Sequence, residues 1–211
     1  MIELDGECPF LWRLSAESSE GFCAVSMVVP YQDDDLRKDL TIETSVVSLS
    51  SDSSRSAHEE VLEWNQDDIN LFLKMVNYQR QLHRQPVSET VRIDLTDPSI
   101  IEIIHVVAAA GFGTAYTSHG VLLDFPRQIP SHPCQIGAMA SLNTVGGYKS
   151  CAVVAMEDED VVCVLLEDVQ LGVAYDLARL HRHDLLLVNK EDLLHPEFGE
   201  AAIGSAPRIL H

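Results

Sequence analysis

Around residues 91–125 the chain changes its hydrophobic period. Val91, Ile93 and Leu95 alternate with Arg92 and Asp94, the period of two of a half-buried strand. Thr96-Asp97-Pro98 then starts a helix. Asp97 can accept from free N–H groups of the first turn, and Pro98 suits the first helical position because its missing N–H had no partner there. The spacing predicts a helix over about 97–110, with Gly111 as a left-handed cap. Ile100, Ile101, Ile103, Ile104, Val106 and Val107 go almost all the way round it. A helix apolar on every face is buried. At about 20 Å it is too short to cross a bilayer. Only Glu102 and His105 break this surface, and three residues apart they share a face. They read as a satisfied core pair or as the helix's wet edge. A Glu-x-x-His pair also begins di-iron carboxylate sites, but those need a second such pair, and the chain has none.

The flanking patterns extend this unit. Phe10–Leu14, Phe22–Val29 and Thr41–Leu49 read as strands, with Pro30 ending the second. The loop between the second and third carries Asp33, Asp34 and Asp35. A serine-rich connector spans Ser50 to Ser56. Ala57–Trp64 is expected as a short helix. Asn65 then caps a longer one to about Arg84, with Asp67 and Asp68 in the first turn and Arg80 near the end, as the helix dipole favours. Its apolar stripe of Ile69, Phe72, Leu73 and Val76 is read as core. Gly111–Thr117 and Val121–Phe125 are expected to pair as a hairpin. A connector with three prolines follows, Pro126–Pro133.

Three strands come next, over 135–145, 148–156 and 161–167. Gly146-Gly147 is read as a two-residue turn, since both positions tolerate positive φ, and Glu157-Asp158-Glu159-Asp160 as the following one. This is an antiparallel meander. Leu171–Leu180 is expected to be helical, and Asp184–Asn189 a strand buried on both faces. The fold predicted is α+β: antiparallel sheets, a buried central helix (about 97–110) and a C-terminal β-meander (about 135–167). One compact domain over 1–211 is expected, with sub-blocks at 1–50, 57–125 and 134–211.

Charge narrows the function. Asp and Glu total 33 against 14 Lys and Arg, a net −19. Such a surface repels nucleic-acid phosphates and argues against direct binding of DNA or RNA. It suits a basic protein partner, mimicry of nucleic acid toward a DNA-binding protein, or a salt-adapted source, and it also serves solubility. No apolar run reaches 18 residues and no basic stretch precedes an apolar one at the N-terminus, so an intracellular protein without membrane contact is expected, a virion component included. The five cysteines, Cys8, Cys23, Cys134, Cys151 and Cys163, form no C-x-x-C and read as packed, reduced thiols.

Chemical motifs are incomplete. His181-Arg182-His183-Asp184 is the sharpest cluster. If it opens a strand, His181 and His183 lie on one face. Together with Asp184, and with His195, His132 or a carboxylate, they would suit zinc, manganese or iron. No other cofactor is predicted. Ser118-His119 are neighbours that point apart, and no G-x-S-x-G elbow is present. Cys134 is a possible thiol nucleophile whose His would come from elsewhere in space. The expectation drawn is a non-enzymatic acidic protein that binds another protein, through Asp33–Asp35 and Glu157–Asp160. An inhibitor, an immunity protein or a subunit of a phage or virus particle fits. The alternatives are a metal-dependent enzyme using His181, His183 and Asp184, and a nucleic-acid mimic.

Overall fold

Alternating apolar residues build the first sheet. The structure, a computed structural model, describes residues 2–4, 9–18, 21–30, 39–49, 58–84, 91–124, 134–171 and 179–198. The chain divides into two compact units, Met1–Thr114 and Ala115–His211. The boundary therefore falls inside the 57–125 block. The fold is α+β. Among the described residues no helix is long and apolar enough to cross a membrane.

In the first unit, β1 (Ile2–Leu4) is followed by β2 (Leu11–Leu14), β3 (Phe22–Val29), β4 (Leu40–Leu49) and β5 (Glu60–Glu63). The last four form an antiparallel sheet in the order β4-β3-β2-β5. Trp12 and Leu14 on β2 are buried, as are Cys23, Val25 and Met27 on β3, so one face of the sheet supplies core. On β4 the alternation leaves Val47 and Leu49 exposed, opposite Ala24 and Phe22 of β3. The short helix expected over Ala57–Trp64 is not formed. Residues 60–63 are strand β5, with Leu62 opposite Trp12. Pairing with the open edge of β2 overrides a local composition that permits either state.

Asn65 caps α1 (Gln66–Leu82) as the sequence indicates. Its Oδ1 accepts from the backbone N–H of Asp67 at 2.8 Å and of Asp68 at 2.9 Å. Asp68 returns the bond, its Oδ2 accepting from the Asn65 N–H at 3.0 Å. This is a capping box, which satisfies otherwise orphaned donors from both directions. Asp68 is more than a dipole partner, however. It is buried, and the same Oδ2 accepts from the indole N–H of Trp12 at 3.1 Å.

β6 (Val91–Ile93) pairs antiparallel with β1, Ile93 lying opposite Ile2. Asp97 and Pro98 then open α2 (Pro98–Phe112) as expected, with Asp97 Oδ1 accepting from the Ser99 N–H at 2.9 Å. Ile103, Ile104 and Val106 to Ala109 are fully buried. The helix packs on β4, β3 and α1. Its polar face is used locally: His105 Nδ1 accepts from the Ser45 N–H on β4 at 3.1 Å. Gly111 is not the cap. The helix continues to Phe112, and Gly113 caps it in an extended conformation at φ −76°. At Gly111 an added Cβ would stand 3.4 Å from Asp68 Oδ1, in ordinary contact.

Five aromatic rings join these elements. Trp12 stacks on Trp64 at 4.9 Å, Phe10 meets Trp64 edge-on at 5.0 Å, and Phe72 of α1 meets Trp64 at 5.6 Å. Phe112 at the end of α2 meets Trp12 edge-on at 5.6 Å. Such edge and offset contacts suit the ring quadrupoles and add to the burial of large apolar area.

The second unit contains β7 (Ala115–Thr117), β8 (Met139–Thr144), β9 (Gly147–Glu157), β10 (Asp160–Leu165), β11 (Val169–Gln170), β12 (Arg179–Leu180) and β13 (Leu185–Asn189). The meander β8–β9–β10 is present and antiparallel. Its first turn is Val145-Gly146, one residue earlier than expected, because Thr144 pairs with Gly147. Gly147 alone takes a positive φ, +91°, and the Thr144 hydroxyl accepts from the Gly146 N–H at 3.2 Å.

The expected hairpin of 111–117 with 121–125 does not form. β7 pairs in parallel with β13, Tyr116 opposite Leu186, while Leu122 bridges to Thr144. The five-stranded sheet has the order β7-β13-β10-β9-β8. Its core includes Leu142, Cys151, Val153, Cys163, Leu165 and Leu186. Residues 179–180 of the helix expected over Leu171–Leu180 are strand β12, paired with β11. Residues 172–178 lie outside the described residues, as do both connectors.

Burial raises the Asp68 carboxyl above its ordinary value, against the lowering effect of the Asn65 and Trp12 N–H groups; the Asp67 charge pushes it up further. The folded state therefore holds this proton more tightly than the unfolded chain. The stability gained is full below the ordinary carboxylate range and is lost as pH rises through the folded value. Asp68→Asn keeps an acceptor for both N–H groups and cannot ionise. Its stability relative to the wild type should rise with pH over this interval and then level off, as read by urea unfolding at a series of pH values. A gap independent of pH would show that Asp68 titrates normally. Asp68→Ala leaves the buried Trp12 N–H without its acceptor and should cost about 2 kcal/mol. Gly111→Ala should stabilise by about 0.5–1 kcal/mol, since the new methyl meets only ordinary contact and the helix gains propensity. A lower melting temperature for this variant would mean that the Asp68 approach is too tight for a methyl group.

Candidate functional site

The acidic turn predicted at Glu157–Asp160 lies where two long strands of the second sheet end. β9 and β10 pair up to Glu157 opposite Asp160, leaving Asp158 and Glu159 as the turn. Asp158 sits at φ +47°, a left-handed conformation that Asp tolerates better than most side chains. All four residues are exposed. Among the described residues, none of the four carboxylates has an ion-pair partner.

The backbone of this turn is fastened instead. β13 leads into a short 3-10 turn, Lys190–Asp192, capped by Asn189. The Lys190 N–H donates to the Glu159 carbonyl at 3.0 Å. The Lys190 ammonium donates to the Asp158 carbonyl. The Lys190 ammonium thus satisfies a backbone oxygen of the turn, while the four acidic residues remain exposed. The 3-10 turn adds Glu191 and Asp192. Burial raises the Asp192 carboxyl above its ordinary value, the bond from the Asn189 N–H lowers it, and the charges of Asp124 and Glu191 raise it. Asp124, Glu191 and Asp192 therefore form a second group of carboxylates, of which Glu191 and Asp192 follow Lys190 directly in the chain. This group was hidden in the sequence, since 124 and 191–192 meet only through the fold.

Asp33, Asp34 and Asp35, the other acidic loop expected to bind a partner, lie outside the described residues.

His181, Arg182, His183 and Asp184 do not open a strand. They form the tight connection between β12 and β13. Asp184 Oδ2 accepts from the His181 N–H at 2.7 Å, and the Asp184 N–H donates to the His181 carbonyl at 3.1 Å. The Arg182 N–H donates to Asp168 Oδ1 at 2.9 Å, and Arg179 pairs with the same carboxylate. His183 is buried at a left-handed φ of +74°, and its N–H donates to the Leu165 carbonyl at 2.7 Å. The His181 side chain is 66% exposed. One imidazole is buried and the other faces solvent, so the shared face expected for His181 and His183 is absent. Local side-chain bonding by Asp184 closes a turn where the pattern alone suggested an extended chain. Among the described residues no group of three or more His, Cys, Asp or Glu is placed to hold a metal ion.

Cys134 packs against the core that holds Cys151 and Cys163. Burial raises its thiol above the ordinary value, Cys163 adds to the rise, and the Lys190 charge acts in the opposite direction. An activated nucleophile needs the reverse shift. The sequence matches no protein-family model and no curated protein.

The turn predicts an asymmetry between its members. Asp184→Ala removes an acceptor from a backbone N–H and should cost about 1–1.5 kcal/mol. His181→Ala should stay within about 0.5 kcal/mol of the wild type. Chemical unfolding of the two variants reads both. A larger loss for His181→Ala would place the imbalance on the imidazole rather than on the carboxylate.

Proposed function

We propose that this protein acts by binding another protein with a basic surface, and that the Glu157–Asp160 hairpin is part of the contact. The observation that carries this reading is the arrangement of the hairpin: four adjacent exposed carboxylates, without ion-pair partners among the described residues, on a turn held by Lys190. A turn whose backbone is already held loses less freedom when a partner arrives, which favours recognition. Glu191 and Asp192, which follow Lys190 directly, add carboxylates close to the residue that holds the turn. The overall charge of −19 acts in the same sense at longer range. Acidic complementarity raises the rate of encounter and selects the partner more than it tightens the final complex. An inhibitor or immunity protein covering a basic site, or a subunit of a larger assembly such as a phage or virus particle, would use such a surface without carrying out chemistry.

The test is affinity purification of the native protein at low salt, with mass spectrometry of what co-elutes. A parallel preparation carries Glu157→Gln, Asp158→Asn, Glu159→Gln and Asp160→Asn, which keep the size of each side chain and the turn preference at 158. The wild type is expected to retain a stoichiometric basic protein that leaves as salt rises. With that partner in hand, the fourfold variant should associate about 10-fold more slowly or worse, and with a shallower salt dependence. Equal association rates and equal salt dependence would remove the hairpin from the contact. Failure of the wild type to retain any basic protein would count against the reading as a whole.

A further inference from the structure

We draw no further inference here: the strongest candidate, the exposed apolar face of the four-stranded sheet where Val47 and Leu49 of β4 lie opposite Ala24 and Phe22 of β3, carries nothing because nothing in the structure shows what covers it.

Discussion

The N-terminal unit depends on one buried carboxylate. Asp68 joins α1 to β2 by a directional bond that apolar contact does not supply. It completes the capping box of α1, it accepts the indole N–H of Trp12 on β2, and Gly111 of α2 passes beside it. The surrounding rings of Phe10, Trp12, Trp64, Phe72 and Phe112 supply the apolar area. Their attraction is largely non-directional. A hydrogen bond to one particular oxygen is directional, and burial makes its loss expensive. The aromatic cluster thus draws helices and sheet together, and Asp68 sets how α1 is turned against β2.

One acidic feature of each unit shows two opposite uses of acid. In the first, a carboxylate is taken out of water and satisfied by two N–H donors. In the second, four carboxylates are kept in water while the backbone beneath them is satisfied by Lys190. The first arrangement specifies structure. The second leaves charge available to whatever approaches.

Local chemistry was legible in the sequence, and pairing between distant segments was not. The Asn65 cap, Asp97 with Pro98, and the three-strand meander all rest on neighbours within a few residues. The errors share a cause. Residues 60–63 became a strand because β2 offered an edge. β7 left its expected hairpin because β13, some 70 residues later, offered a better one. Gly111 stayed helical because α2 runs on to Phe112, whose ring packs on Trp12 of a distant strand. At the candidate site, the acidic turn could be read from its composition. The hold of Lys190 could not, since strand order creates it. The His181–Asp184 turn was a nearer miss: an Asp three residues after the turn's first N–H is a local capping arrangement that the alternation of the two histidines obscured.

The place of β13 has a consequence for how this chain is made. It lies between β7 and β10, inside the five-stranded sheet, yet it is the last strand of that sheet to leave the ribosome. The meander can assemble as it emerges, because its contacts are local. One side of β10 then remains an open edge, and β7 waits without a neighbour, until residues 185–189 arrive. During that interval the nascent chain exposes an unpaired strand rich in valine, the kind of edge that invites pairing with the wrong partner. Closure of the sheet is therefore a late, non-local event, and the same step that completes it brings Lys190 to the acidic hairpin.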